Sequence, residues 1–186
     1  MKKRTQGMVN KWAIIGGLLL MMSVAMVGYV QAATSLTAAE KYWLTYMREE
    51  EKLARDVYIS MYNIWGAQIF NNITVSEQRH MDSVKNLLVK YGIPDPAEGK
   101  DVGKFTNQDL QDLYDQLIEQ GSLSLVEALK VGVLIEETDI DDLNSGIAST
   151  TRKDIKNVYY NLLQGSLNHI KAFVSNLAAQ GVIYEP

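Results

Sequence analysis

Only two histidines occur among the 186 residues, His80 and His169, and there is no cysteine. Disulfides, thiolate metal sites, a thiol nucleophile and a C-x-x-C redox pair are thereby excluded. Chemistry must come from carboxylates, imidazoles, hydroxyls or a bound cofactor. Both histidines stand in polar gaps of otherwise apolar patterns: Glu77 lies three residues before His80 in "EQRH", and Ser166 three before His169 in "SLNH". Glu51 and Glu136 interrupt two further apolar patterns. Residues three apart on a helix share a face, so Glu77 and His80 can reach one ion. An unpaired buried carboxylate is costly or takes up a proton, and three at one level of a core call for cations among them. Carboxylate oxygen and imidazole nitrogen suit iron, with manganese as the alternative. The candidate ligands are therefore Glu51, Glu77, His80, Glu136 and His169.

The elements that must position these residues are helices. Prolines occur only at 94, 96 and 186, and the segments between them repeat apolar residues every three or four positions, the period of a helix with one buried stripe. The first helix is expected from Leu36–Thr37 to Trp65, with the stripe Leu44, Met47, Glu51, Ala54, Tyr58, Met61 and Trp65. The second is expected from Ile69 to Tyr91, stopped by Gly92 and Pro94, with Ile73, Glu77, His80, Val84, Leu87 and Leu88 inward. After a long loop, Thr106 is placed as the N-cap of a short helix reaching Gln120. Ser124 and Glu127 have the form of a capping box for a helix over Leu125–Leu143, with Leu125, Leu129, Val133, Glu136, Ile140 and Leu143 inward. The last helix is expected from Thr151 to Gln180, its stripe running Ile155, Tyr159, Leu162, Ser166, His169, Phe173 and Asn176. This is an all-α chain: a four-helix bundle whose long crossover between the second and third long helices carries an extra short helix.

Neighbouring positions leave alternatives open. Glu50 lies on a stripe beside that of Glu51, and Glu137 is one position out of register with Glu136. Glu49 reads as solvated, as does most of the acidic run "EETDIDD". Tyr58 and Tyr159 fall one or two turns from the ligands, as core aromatics or as partners of the ligands. Met47, Met61 and Met81 read as core filler.

"EKLARDVY" resembles the first-helix signature of the rubrerythrin and ferritin-like diiron proteins, Glu-x-x-Ala-Arg-x-x-Tyr, on Glu51, Ala54, Arg55 and Tyr58. "EQRH" resembles their second-helix Glu-x-x-His. From Leu36 to its end the chain also resembles the exported ferritin-like family known as domain of unknown function 2202, through "EEEKLARDVY", "SEQRHM", "LIEE" and "YEP". The resemblance implies two metal ions, iron first, held by four glutamates and two histidines. Ser166 departs from that pattern where a glutamate is expected. Three outcomes are open: Glu50, Glu137 or Asp139 supplies the missing carboxylate, the second ion is loosely held, or the site holds one metal. The resemblance also implies reaction with oxygen or peroxide. Rubrerythrins carry a cysteine-ligated iron domain that this chain lacks, so a reductase would need an external electron donor, whereas oxidation of Fe(II) would not.

The first 33 residues differ in kind. Lys2, Lys3, Arg4 and Lys11 flank an uncharged 19-residue run from Trp12 to Val30, followed by "QAATS". This is the pattern of a secretory signal peptide cleaved near Ala32 or Ala33; an uncleaved membrane anchor is the competing reading. Either places the domain over 34–186 outside the cytoplasm. Without this segment 14 basic residues face 22 acidic ones, a balance of −8, which argues against nucleic acid as a partner. Contact with a membrane is expected only through the N-terminal segment, and the long helical faces are compatible with a dimer. Beside an oxidase stand two further readings: a non-enzymatic metal-binding or sensing module, and a metal-free helical bundle with a buried polar layer.

Overall fold

The computed structural model describes residues 35–184; the expected signal peptide or anchor over 1–33 lies outside the described residues, as does the end of "YEP". The described residues form five helices and no strand: α1 (Ala38–Trp65), α2 (Gln68–Tyr91), α3 (Gln108–Gly121), α4 (Leu125–Ala148) and α5 (Lys153–Ala179). None is long and apolar enough to cross a membrane. Thr37 opens α1 with a capping box, accepting from the Glu40 backbone N–H while Glu40 reaches back to Thr37, so two orphan donors are satisfied together. Gly66 and Gly92, both with φ near +65°, close α1 and α2 in the left-handed region that glycine adopts without steric cost.

Some boundaries differ from the sequence expectation. Asn107, not Thr106, caps α3, accepting from the N–H groups of Asp109 and Leu110; the Thr106 hydroxyl turns back to the Pro96 carbonyl instead. Ser124 does accept from the Glu127 N–H, but the Glu127 carboxylate goes to Lys130 and Gln120 rather than completing a capping box. α4 continues past Leu143 to Ala148. On α5 the stripe ends on buried Leu177, one position beyond the expected Asn176.

The two-residue link Gly66–Ala67 makes α1 and α2 an antiparallel pair, and α4 and α5 form a second. α1 also packs on α4, and α2 on α5, while α3 covers α1 and α4. The apolar core falls into two clusters. One gathers Leu53, Val57 and Met61 of α1 with Phe70, Leu129 and Phe173. The other gathers Leu44 and Met47 with Val84, Leu88, Leu143, Tyr159 and Leu162. On each of the four long helices the residues between these clusters are the polar ones singled out by the sequence.

The middle of α1 is buried all round, from Met47 to Ala54, which no single stripe explains. Its outer side faces the crossover. Arg48 forms a two-pronged pair with Asp95 at 3.0 Å. Lys52 pairs with Asp56, lies 4.6 Å from the Phe105 ring centre and donates to the Asp101 carbonyl. Asp56 accepts in addition from Arg55 and from the Gly103 N–H. Glu49, expected in solvent, is buried and accepts from the N–H groups of Thr106 and Asn107. Buried charge is tolerated here because each member has a partner. The second face of α1 thus fastens the crossover, which in turn seats α3.

Candidate metal centre

Between the two apolar clusters lies a layer to which α1 contributes Glu50 and Glu51, α2 Glu77 and His80, α4 Glu136 and Asp139, and α5 Ser166 and His169, all buried. Glu77 stands at the middle. Its Oε2 lies 2.8 Å from His80 Nδ1 and its Oε1 2.8 Å from His169 Nδ1. Each imidazole faces a second carboxylate through the same nitrogen: His80 Nδ1 is 3.1 Å from Glu51 Oε2, and His169 Nδ1 is 3.3 Å from Glu136 Oε2. Two triads result, Glu51–Glu77–His80 and Glu77–Glu136–His169, with one potential ligand atom per residue and all atoms of a triad within 4.8 Å of one another. The two rings lie 5.6 Å apart at 27°, roughly stacked.

Further contacts aim these groups. The Tyr58 hydroxyl donates to Glu136 Oε1 at 2.7 Å, leaving Oε2 for His169. Ser166 Oγ donates to Asp139 Oδ2 at 2.5 Å, leaving Oδ1 without a partner. Glu51 Oε1 and Glu50 Oε2 are likewise buried and unpartnered. Such atoms are costly in a folded core, so the layer carries acceptor capacity that the protein's own donors do not meet.

Electrostatics say the same. Burial opposes charge on both imidazoles, but the carboxylates overcome it: Glu51 and Glu77 push His80 up to about 11, and Glu136 and Glu77 push His169 up to about 10. Burial raises Glu51 to about 8 despite the His80 charge, and Glu136 to about 7, helped by the Glu77 charge. Burial also works against Glu77, yet hydrogen bonds from both histidines pull it down to about 2. Glu50 and Asp139 are driven far upward, by burial first and then by neighbouring acids. Five buried carboxyls therefore share two imidazoles, and the balance is made by held protons or by cations.

The family model described as "Uncharacterized protein domain (DUF2202)" matches residues 40–186, a span that includes every residue of this layer. The chain belongs to the DUF2202 family. "Uncharacterized protein MJ0754" of Methanocaldococcus jannaschii is 53% identical over 151 residues, which make up 81% of this chain and 82% of that one. The crystal structure of hypothetical protein MJ0754 superposes with a TM-score of 0.80, covering 81% of this chain and 86% of the other. A DUF305 fragment from Deinococcus radiodurans, 14% identical, gives a TM-score of 0.57 over 78% of this chain and 99% of the fragment; it shares the fold.

In this DUF2202 chain the structure sorts the alternatives. Glu50 and Asp139 join the layer; Glu137 does not, its carboxylate accepting instead from the Tyr184 hydroxyl at 2.9 Å. Tyr58 touches the layer, whereas Tyr159 sits in the other apolar cluster, its ring against Gly146 and its hydroxyl under the charge of Glu40. Ten residues along α5 from His169, roughly 15 Å, it takes no part. Within the acidic run, most of which was expected in solvent, Glu136 and Asp139 are buried, as their place among the candidate ligands requires. Two residues went unforeseen: Asp142, whose charge acts on Glu50, and Tyr46, on which the charges of Glu50 and Asp142 both act. The signal was present, because Glu136, Asp139 and Asp142 follow one another at steps of three.

Gly165 is the remaining support. A Cβ there would stand 2.5 Å from Cε1 and Nε2 of His80, so the ring is seated directly on the α5 backbone. Gly165→Ala is expected to push His80 out of place and to cost about 1–3 kcal/mol through overpacking. Thermal unfolding and the His80 imidazole NMR resonances would check it; an unshifted His80 signal would count against the close seat.

Proposed function

We propose that this protein is a ferritin-like carboxylate–histidine metalloprotein that holds two ions, iron in preference and manganese as the alternative, and that it oxidises Fe(II) or reduces oxygen or peroxide outside the cytoplasm. The observation that carries the reading is Glu77, whose two oxygens each face a separate histidine–carboxylate triad. The residues fit such ions: every donor is a carboxylate oxygen or imidazole nitrogen, the buried oxygens Glu50 Oε2, Glu51 Oε1 and Asp139 Oδ1 lack partners, and the lysine and arginines of central α1 are engaged with Asp56, the crossover and Gln78. The antiparallel order of the helices and the "EKLARDVY" signature support the ferritin-like assignment, and the basic and apolar composition of the N-terminus supports export.

In this reading Glu51 and His80 would hold one ion and Glu136 and His169 the other, with Glu77 available to both. Asp139 would supply the carboxylate that Ser166 does not, its Oδ2 tied to the Ser166 hydroxyl and its Oδ1 free. Tyr58 orients Glu136, and Gly165 admits the His80 ring. The apolar clusters on either side keep bulk water away, which strengthens every charge interaction inside. Bound iron or manganese supplies the one-electron redox chemistry, and the chain's part is to bind, orient and exclude water. A peroxide reductase built this way depends on an external electron donor.

Metal analysis after anaerobic loading with Fe(II) tests the proposal. Two irons per chain are expected, falling to about one in Asp139→Ala, with rapid oxygen uptake by the loaded wild type. One iron in the wild type would make the site mononuclear, with Ser166 as the reason. No bound metal would leave a helical bundle with a buried polar layer.

A further inference from the structure

A narrow apolar pocket lies between α1, α3 and α4. Leu110, Leu113 and Leu117 line it from one side of α3, Leu134, Ile135 and Thr138 from α4, and Leu53 and Glu50 from α1. Leu134, 44% exposed, marks its outer rim, and Glu50 is among its buried lining residues. The pocket is partly open at this rim, and its volume of about 20 Å³ is room for one small molecule. Water itself is a poor occupant, because it needs two to four polar partners and the lining offers only the Glu50 carboxyl and the Thr138 hydroxyl, whose proton is already given to the Leu134 carbonyl. Apolar cavities stay dry and accept small apolar gases, and six of the eight lining residues here are apolar.

Glu50 belongs to both the pocket and the centre. On one side it lines the apolar wall; on the other it faces Asp139, Asp142 and Glu51. Its Oε2 has no partner, so no hydrogen bond at that atom holds the side chain in place. The placement also accounts for α3, which forms one wall of the pocket with leucines at steps of three and four and is itself seated by the crossover that Glu49, Lys52 and Asp56 fasten. We propose that this pocket binds a small apolar gas, dioxygen, and admits it to the centre past Glu50. The role in oxygen delivery rests on the metal reading above; the gas site itself does not.

Two experiments separate them. Crystals of the metal-free full chain under xenon are expected to show xenon between Leu113, Leu117 and Leu134, and none when Leu134→Trp or Leu113→Trp fills the space. An empty wild-type pocket under xenon would overturn the proposal whether or not metal binds. In the Fe(II)-loaded chain, Leu134→Trp is expected to slow oxidation by oxygen at least tenfold. Oxidation by hydrogen peroxide, a polar molecule disfavoured in an apolar passage, should stay within twofold. Equal oxygen rates in wild type and both tryptophan variants would overturn the route. A chain that binds xenon but no iron would sink the metal reading and leave the gas site standing. Leu134 is at the rim, so its replacement is the variant less disruptive to folding.

Discussion

Glu77→Gln is expected to reduce bound iron from two per chain to less than one, the largest loss from any single replacement in the layer. Glutamine preserves the volume, so no cavity confuses the result. What it removes is the charge that both histidines share: Glu77 Oε2 toward His80 and Oε1 toward His169, each at 2.8 Å. Replacing Glu51 or Glu136 takes one carboxylate from one triad, whereas replacing Glu77 takes the same residue from both. The metal-free variant should also be less stable by about 3–5 kcal/mol, the usual cost of stripping one partner from a buried charge network. Glu137→Gln is the control, because Glu137 faces Tyr184 and not the layer; it should keep two irons. Full iron occupancy in Glu77→Gln would show that Glu77 does not bridge, and both triads would have to be reassigned.

The metal-free protein should lose stability as pH rises from about 6 to 9, and the loaded protein should gain it. The sign follows from where protons sit. His80 and His169 move from 6.5 to about 11 and about 10. Their stabilising contribution is therefore complete below pH 6.5 and is lost as pH climbs through the folded values. Glu51 and Glu136, raised from 4.5 to about 8 and about 7, also hold protons in the folded state that the unfolded chain has released, so they too disfavour folding as pH rises above 4.5. Glu77, lowered to about 2, acts in the opposite sense, but only between pH 4.5 and 2. Each group contributes up to about 1.4 kcal/mol per pH unit over its window, so a loss on the order of 3 kcal/mol or more is expected between pH 6 and 9. Ions bind the deprotonated ligands and release these protons, so affinity and the stability it confers increase with pH. Thermal unfolding with and without chelator at pH 6 and 9 would check both slopes. A flat profile in the stripped protein would mean the layer does not hold protons as its geometry requires.

The helices were legible because their signals are local: caps at Thr37 and Ser124, left-handed glycines at 66 and 92, and apolar residues every three or four positions. Periodicity also singled out Glu51, Glu77, His80, Glu136, Ser166 and His169, because a polar residue inside a buried stripe is conspicuous. Glu49 was misread for a complementary reason. Its partners, the backbone N–H groups of Thr106 and Asn107, are 57 and 58 residues away, and backbone donors leave no mark in a sequence. Tyr159 shared a stripe with the ligands but not a level, because a stripe specifies a face of a helix and says nothing about depth along the bundle.

The three glutamates of "EEE" mark where local information ends. Neighbours on a helix point about 100° apart, and the sequence by itself determined that one of them faces the core among the histidines and carboxylates of the other helices. Only the tertiary structure decided the other two: Glu49 fastens the crossover, and Glu50 faces Asp139 and the apolar pocket. It likewise decided that Ser166 has an acid opposite it, since Asp139 reaches it from α4. A helix's own periodicity specifies one buried face. Which further faces are buried, and against what, depends on the segments that fold over them from elsewhere in the chain.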